Sequence, residues 1–204
     1  MDDAPIRVAY ALEQCWDPIP GEAATAALRI AAALSERPAD VTILQLAAKH
    51  AELPPTAYRP VGSLAMLPLG RRWLYDGWTR LNWPKVESVT GRVDVAHATG
   101  FVPCATLVPL VVTINEIRFL DEPGSLPKHV ERMTRRSLDV IRERADRVLC
   151  SSEATFDQCA RVGLDEAKLR LVLVGADADW KAAAEQTLAV YRELVPAGGG
   201  TADS

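Results

Sequence analysis

Val93 to Glu116, VDVAHATGFVPCATLVPLVVTINE, is the stretch whose reading decides the fold. It holds two short apolar runs, Val93 to His97 and Leu110 to Ile114, each ending in polar or small residues. Continuous rather than alternating apolarity over so few residues suits a parallel strand covered by helices on both faces, because such a strand has no wet side. The two runs are therefore expected to be neighbouring central strands of an open α/β sheet. Ligands of such sheets sit in the crevice at the carboxyl ends of the strands. His97, Thr99, Gly100, Thr113, Asn115 and Glu116 fall at that edge.

Toward the N-terminus, Ile6 to Leu12 reads as a further strand, followed by the loop EQCWDPIPGE and a small-residue helix from about Glu22 to Arg37. Strand, Gly-bearing loop and helix start is a layout in which backbone N–H groups meet an anion or a sugar hydroxyl, which adds Gly21 and Glu22 to the candidates. Ala23, Ala24, Ala27 and Ala31 fit equally a helix that merely packs close to the sheet. DVTILQL (Asp40 to Leu46) is a second strand, ELPPTAYRP an irregular connection, and Val61 to Leu69 an edge strand. Arg71 to Asn82 places Leu74, Trp78 and Leu81 at helical spacing, with Val86 and Val89 continuing the apolar face, so its tryptophans read as core anchors rather than a sugar-stacking platform.

Toward the C-terminus, Ile117 to Lys128 reads as a loop over the strand ends. A helix over about Pro127 to Asp146 turns Met133 or Thr134, Leu138, Ile141 and Ala145 inward. Its Arg132, Arg135, Arg136, Arg142 and Arg144, mixed with Glu131, Asp139 and Glu143, read as a solvated face. DRVLC (Asp146 to Cys150) is another strand, and SSEAT opens a helix over Glu153 to Val162 with Ser151 or Ser152 as cap. Its free N–H groups face the crevice and bring Ser152 and Glu153 into the candidate site. Leu169 to Val174 is the last strand. Trp180, Ala184, Leu188, Tyr191 and Val195 then recur at helical spacing behind the capping residue Asp179, and Pro196 ends this amphipathic helix.

The 204 residues, 49% hydrophobic and 25% charged, are those of an ordinary globular protein. A net charge of −4, from 23 basic and 27 acidic residues, gives no electrostatic reason to expect nucleic acid or an anionic membrane. MDDAPIRVAYAL lacks the basic start of a signal peptide, and no apolar run approaches the roughly 18 residues of a membrane span, so a cytoplasmic protein without an integral membrane segment is expected. Cys15, Cys104, Cys150 and Cys159 have neither C-x-x-C nor histidine spacing. They read as reduced thiols with no metal or cofactor, and His50 and His129 as surface residues.

VAYALEQCWDPIPGEAATAALRIAAAL, VDVAHAT, PLVVTINEIRFL, ADRVLCSSEAT and KLRLVLVGAD, in this order and spacing from Arg7 to Asp177, resemble the N-terminal half of a GT-B glycosyltransferase of family four. These are retaining enzymes that move a sugar from a nucleotide donor. The resemblance implies a single Rossmann-like three-layer α/β domain with a mostly parallel central sheet over residues 1–177. It further implies a C-terminal crossing helix over residues 178–195 packed back on the domain, and a disordered tail over residues 196–204. It also implies that the domain holds a sugar or lipid-linked glycan acceptor, at Gly21, Glu22, His97, Thr99, Asn115, Glu116, Ser152 and Glu153.

Family members carry a second domain that grips the nucleotide sugar. Here GAD runs straight into DWKAAAEQTLAVYREL, which resembles the family's closing helix, so the donor domain is missing between about Asp177 and Trp180. A natural deletion, a degenerate paralogue or an engineered excision would each leave this sequence. The family pattern also has a histidine where Asn115 stands and a second glycine where Glu22 stands. Asn cannot carry a proton near neutral pH, and Glu22 would repel a phosphate. The implied function is a glycosyltransferase domain inactive alone, using nucleotide sugar only if a donor domain is supplied in trans. The other readings are a non-catalytic module that docks such a domain or a second copy of itself, and a scaffold with no selected function.

Overall fold

The computed structural model describes residues 4–117, 124, 126–174 and 179–195. The expected loop over 117–128 lies partly, and the GAD junction and the tail wholly, outside these. Seven strands, β1 (Ile6–Ala11), β2 (Val41–Ala47), β3 (Leu64–Met66), β4 (Val95–Ala98), β5 (Leu110–Ile114), β6 (Arg147–Cys150) and β7 (Leu169–Leu171), form one sheet in the order β3-β2-β1-β4-β5-β6-β7. Every adjacent pair is parallel, and the two central runs pair as Ala96 with Leu110 through Ala98 with Val112.

Successive strand residues point to opposite faces, and both faces are covered, which is why the runs are apolar without alternation. Val8, Tyr10, Val95, Val111 and Leu149 enter one core with helices α1 (Glu22–Ser35) and α6 (Trp180–Leu194). Ala9, Ala96, Val112, Ile114 and Val148 enter the other. That face is covered by α2 (Arg71–Arg80), α3 (Glu87–Thr90), α4 (Lys128–Arg144) and α5 (Glu153–Arg161). The alanines of α1 meet Ala183 and Ala184 of α6, so the two helices approach closely over the sheet.

Asp179 caps α6 by accepting from the amides of Lys181 and Ala182. The expected stripe is buried at Ala184, Leu188 and Tyr191, and the helix lies against the sheet layer rather than away from it.

Four sequence readings are corrected. Of the aromatic helix, only Leu74 and Trp78 are core residues; Leu81 is 73% exposed, and Trp73 and Trp83 are also outside. Helical spacing marks a face, but α2 ends at Arg80, so Leu81 leaves that face. Arg136 and Arg144 are not on a solvated face of α4. Arg136 bonds Asp76 at 2.8 Å, and Arg144 bonds Asn82 and the Trp78 carbonyl, fastening α2 to α4. His50 is half-buried, its ring stacked on Trp16 at 4.5 Å. Only Leu64–Met66 and Leu169–Leu171 of the two edge segments pair as strands.

Candidate functional site

At the carboxyl ends of β1, β5 and β6 the strands stop and the chain opens a cleft of about 730 Å³. Gly21 and Glu22 at the start of α1 line it on one side, Asn115 and Glu116 after β5 on the other, and Ser151 after β6 and Trp180 at the start of α6 close it. The Asn115 backbone is fixed, because its carbonyl accepts from Ser151 Oγ at 3.1 Å and Thr155 Oγ1 at 2.7 Å.

Gly21 is the extended N-cap of α1 and offers no side chain to the first-turn amides. Glu22 sits in that turn and, with Asp17 and Glu116, places three carboxylates along the cleft against the single guanidinium of Arg29. Asp17 is paired with Arg71 beside the cleft, so the lining carries both signs, and hydroxyl groups find carboxylates, an amide and Ser151 to bond with.

The other expected site residues are placed differently. His97 is sealed at 1% exposure, with Nδ1 2.6 Å from Tyr191 Oη and Nε2 2.8 Å from Thr113 Oγ1. Burial pulls its pKa down to about 3, so the ring is neutral at any ordinary pH. Thr99 is buried too, donating to the Ala11 carbonyl and accepting from Gln14 Nε2 at 2.6 Å. Ser152 spends its hydroxyl capping α5, accepting from the Thr155 amide at 3.1 Å. Glu153 is exposed in the first turn of that helix, and neither it nor Ser152 lines the cleft. The structure thus brings together Gly21, Glu22, Asn115 and Glu116.

Sequence reasoning missed Asp17, Arg29, Ser151 and Trp180. The available signals were polarity in the loop after β1 for Asp17 and the SSEAT helix start for Ser151, which was read only as an alternative cap; Arg29 and Trp180 reach the cleft through the packing of α1 and α6. Among the described residues no group of three His, Cys, Asp or Glu side chains could hold a metal ion. The four cysteines are free and buried. Burial pushes Cys15 and Cys104 up to about 12, so neither is a nucleophile near neutral pH.

Residues 23–180 match the model of Glycosyltransferase Family 4. The fold superposes on a sucrose-phosphate synthase chain from Thermosynechococcus elongatus with a TM-score of 0.53 and 15% identity, over 93% of this chain and 98% of that one. Anabaena Alr3699/HepE, solved in complex with UDP and glucose, follows at a TM-score of 0.48 and 14% identity. There the match covers 84% of this chain and 45% of HepE, so the chain spans less than half of that protein. No curated protein matches the sequence.

Proposed function

This chain belongs to Glycosyltransferase Family 4, and from that premise we propose that it is the acceptor-holding half of a nucleotide-sugar-dependent hexosyl transferase. Gly21, Glu22, Asn115 and Glu116 hold hydroxyls of a sugar or of a lipid-linked glycan. The observation that carries this reading is the acidic, hydroxyl-competent lining of the cleft at the strand ends. The chain does no transfer alone. Only residues 175–178 lie between the segment after β7 and the cap of α6, far too few for a donor-gripping domain. The same reading puts the protein in the cytoplasm, where its four unpaired thiols stay reduced. No described helix is long and apolar enough to cross a membrane.

Thermal-shift titration of the full chain with neutral oligosaccharides, a lipid-linked glycan and UDP tests the proposal. A ligand at ten times its Kd adds about 1.4 kcal/mol, a rise of roughly 3–5 °C for a chain of this size. The rise is expected with a saccharide or glycan, absent with UDP, and lost in Asn115→Leu. No rise with any saccharide or glycan, or one that persists in Asn115→Leu, overturns it. A second reading, docking of a donor domain in trans or of a second copy, is favoured by Ile19, 88% exposed at the cleft, and by the exposed Leu173. Sedimentation of the same samples reads it as a mass increase.

A further inference from the structure

Two of the four buried thiols face each other. Cys150 ends β6 and Cys159 lies in the last turn of α5, both without exposure. Their sulfurs are 3.8 Å apart, with the Cys150 thiol donating to Cys159. Cys15 belongs to the core on the opposite face of the sheet. A disulfide has about 2.05 Å between its sulfurs, so roughly 1.8 Å of approach closes the pair. The hydrogen donated by Cys150 holds the Cys159 thiol below the ordinary thiol range, which makes Cys159 the sulfur that loses its proton first.

The helix that covers the pair has a small apolar hold on the core. The buried residues of α5 are Thr155, Gln158 and Cys159, and Phe156 is only half-buried. A helix of nine residues with a mostly polar inner face opens locally at lower cost than the whole domain, and a small oxidant reaches the sulfurs in that opening. The same helix is tied to the wall of the main cleft. Cys150 adjoins Ser151, which lines the cleft and bonds the Asn115 carbonyl. Thr155, one turn before Cys159, bonds the same carbonyl, and Gln158, next to Cys159, accepts from the Ile117 amide at 2.9 Å. Drawing α5 toward β6 therefore pulls on the segment after β5.

We propose that Cys150 and Cys159 form a reversible oxidation site for small peroxides, and that closing the bridge reshapes the cleft wall at Asn115 and Ile117. The Cys159 thiolate attacks one oxygen of hydrogen peroxide, the O–O bond breaks, and hydroxide leaves as a sulfenic acid forms. Cys150, giving up its proton, attacks that sulfur and displaces the hydroxyl as water. Two thiols and one peroxide thus give one disulfide and two waters, with two electrons passing from sulfur to the peroxide. Exchange with two equivalents of a small thiol, which become a disulfide in turn, restores the pair. The site stands whether or not the cleft holds an acceptor.

The test treats the reduced full chain with hydrogen peroxide in native buffer and then blocks the remaining thiols with iodoacetamide. Trypsin releases residues 148–161 as one peptide that carries both cysteines. That peptide is expected to lose two hydrogens and refuse the label, to regain both with dithiothreitol, and to do the same in Cys15→Ala/Cys104→Ala. In Cys150→Ala the sulfenic acid has no second thiol to meet, and dimedone is expected to label Cys159; no label there overturns the order of attack. The bridge is expected to raise Tm by roughly 5–10 °C and to shift the Ser151 and Ile117 amides in NMR spectra. A pair that stays reduced, that bridges only in urea, or whose bridge lowers Tm overturns the oxidation site. A bridge that leaves the Ile117 amide unshifted overturns its link to the cleft.

Discussion

His97 holds the closing helix to the sheet through one buried hydrogen bond to Tyr191, flanked by edge-on contact with the Tyr10 ring at 5.1 Å. Its folded pKa of about 3 lies below the ordinary 6.5, so between these values the unfolded chain binds a proton that the folded one refuses. The stability this provides is complete above pH 6.5 and is lost as pH falls toward 3, with about 2 kcal/mol gone by pH 5. Urea unfolding of the wild type between pH 7 and 5 is expected to show that decline, and His97→Gln to flatten it. An equal decline in both would mean other groups carry it. The sequence placed His97 at the end of a central strand, which is where it lies. What could not be read was which face it entered, because both faces are apolar and Tyr191, the partner that hides it, is 94 residues away.

At the scale of elements, α6 is attached in two ways of unequal weight. Glu193 pairs with Arg147 and Arg170 at 2.8 Å, and Glu185 with Arg37 at 3.3 Å, all partly exposed. Such pairs contribute roughly 0–1 kcal/mol each. Leu188, Ala184 and Tyr191 are buried against α1 and the sheet, and truncating a buried leucine costs about 2–5 kcal/mol. Leu188→Ala is therefore expected to lower the denaturant midpoint far more than Glu193→Gln. The reverse order would make the helix an ionic clasp rather than a packed element. This helix was legible because one periodic stripe carries nearly all its packing. The arginine face of α4 was not, because Arg136 and Arg144 find Asp76 and Asn82 about sixty residues away, and mixed charge along one helix carries no sign of a neighbour that distant in sequence.

For the whole molecule, the consequence is kinetic. Retaining sugar transfer needs donor phosphate, sugar carbon and acceptor hydroxyl in one geometry. Positioning supplies roughly 7–11 kcal/mol of barrier reduction, and leaving-group stabilisation is usually the largest single term. The main cleft is lined by Asp17, which Arg71 holds, with Glu22, Glu116 and Arg29, and His97 near the strand ends is neutral and enclosed. On the function proposed above, the grip on the leaving phosphate comes from a donor domain supplied in trans. Purified chain incubated with labelled UDP-glucose and a saccharide is expected to release label no faster than buffer, at any pH between 5 and 9. Release above that background which Asn115→Leu abolishes would show that this chain catalyses transfer by itself. Adding a separately expressed nucleotide-sugar-binding domain is the complementary arm: if only the mixture turns over, the rate should rise with the concentration of the added domain, because an unlinked partner lacks the effective concentration a covalent connection provides.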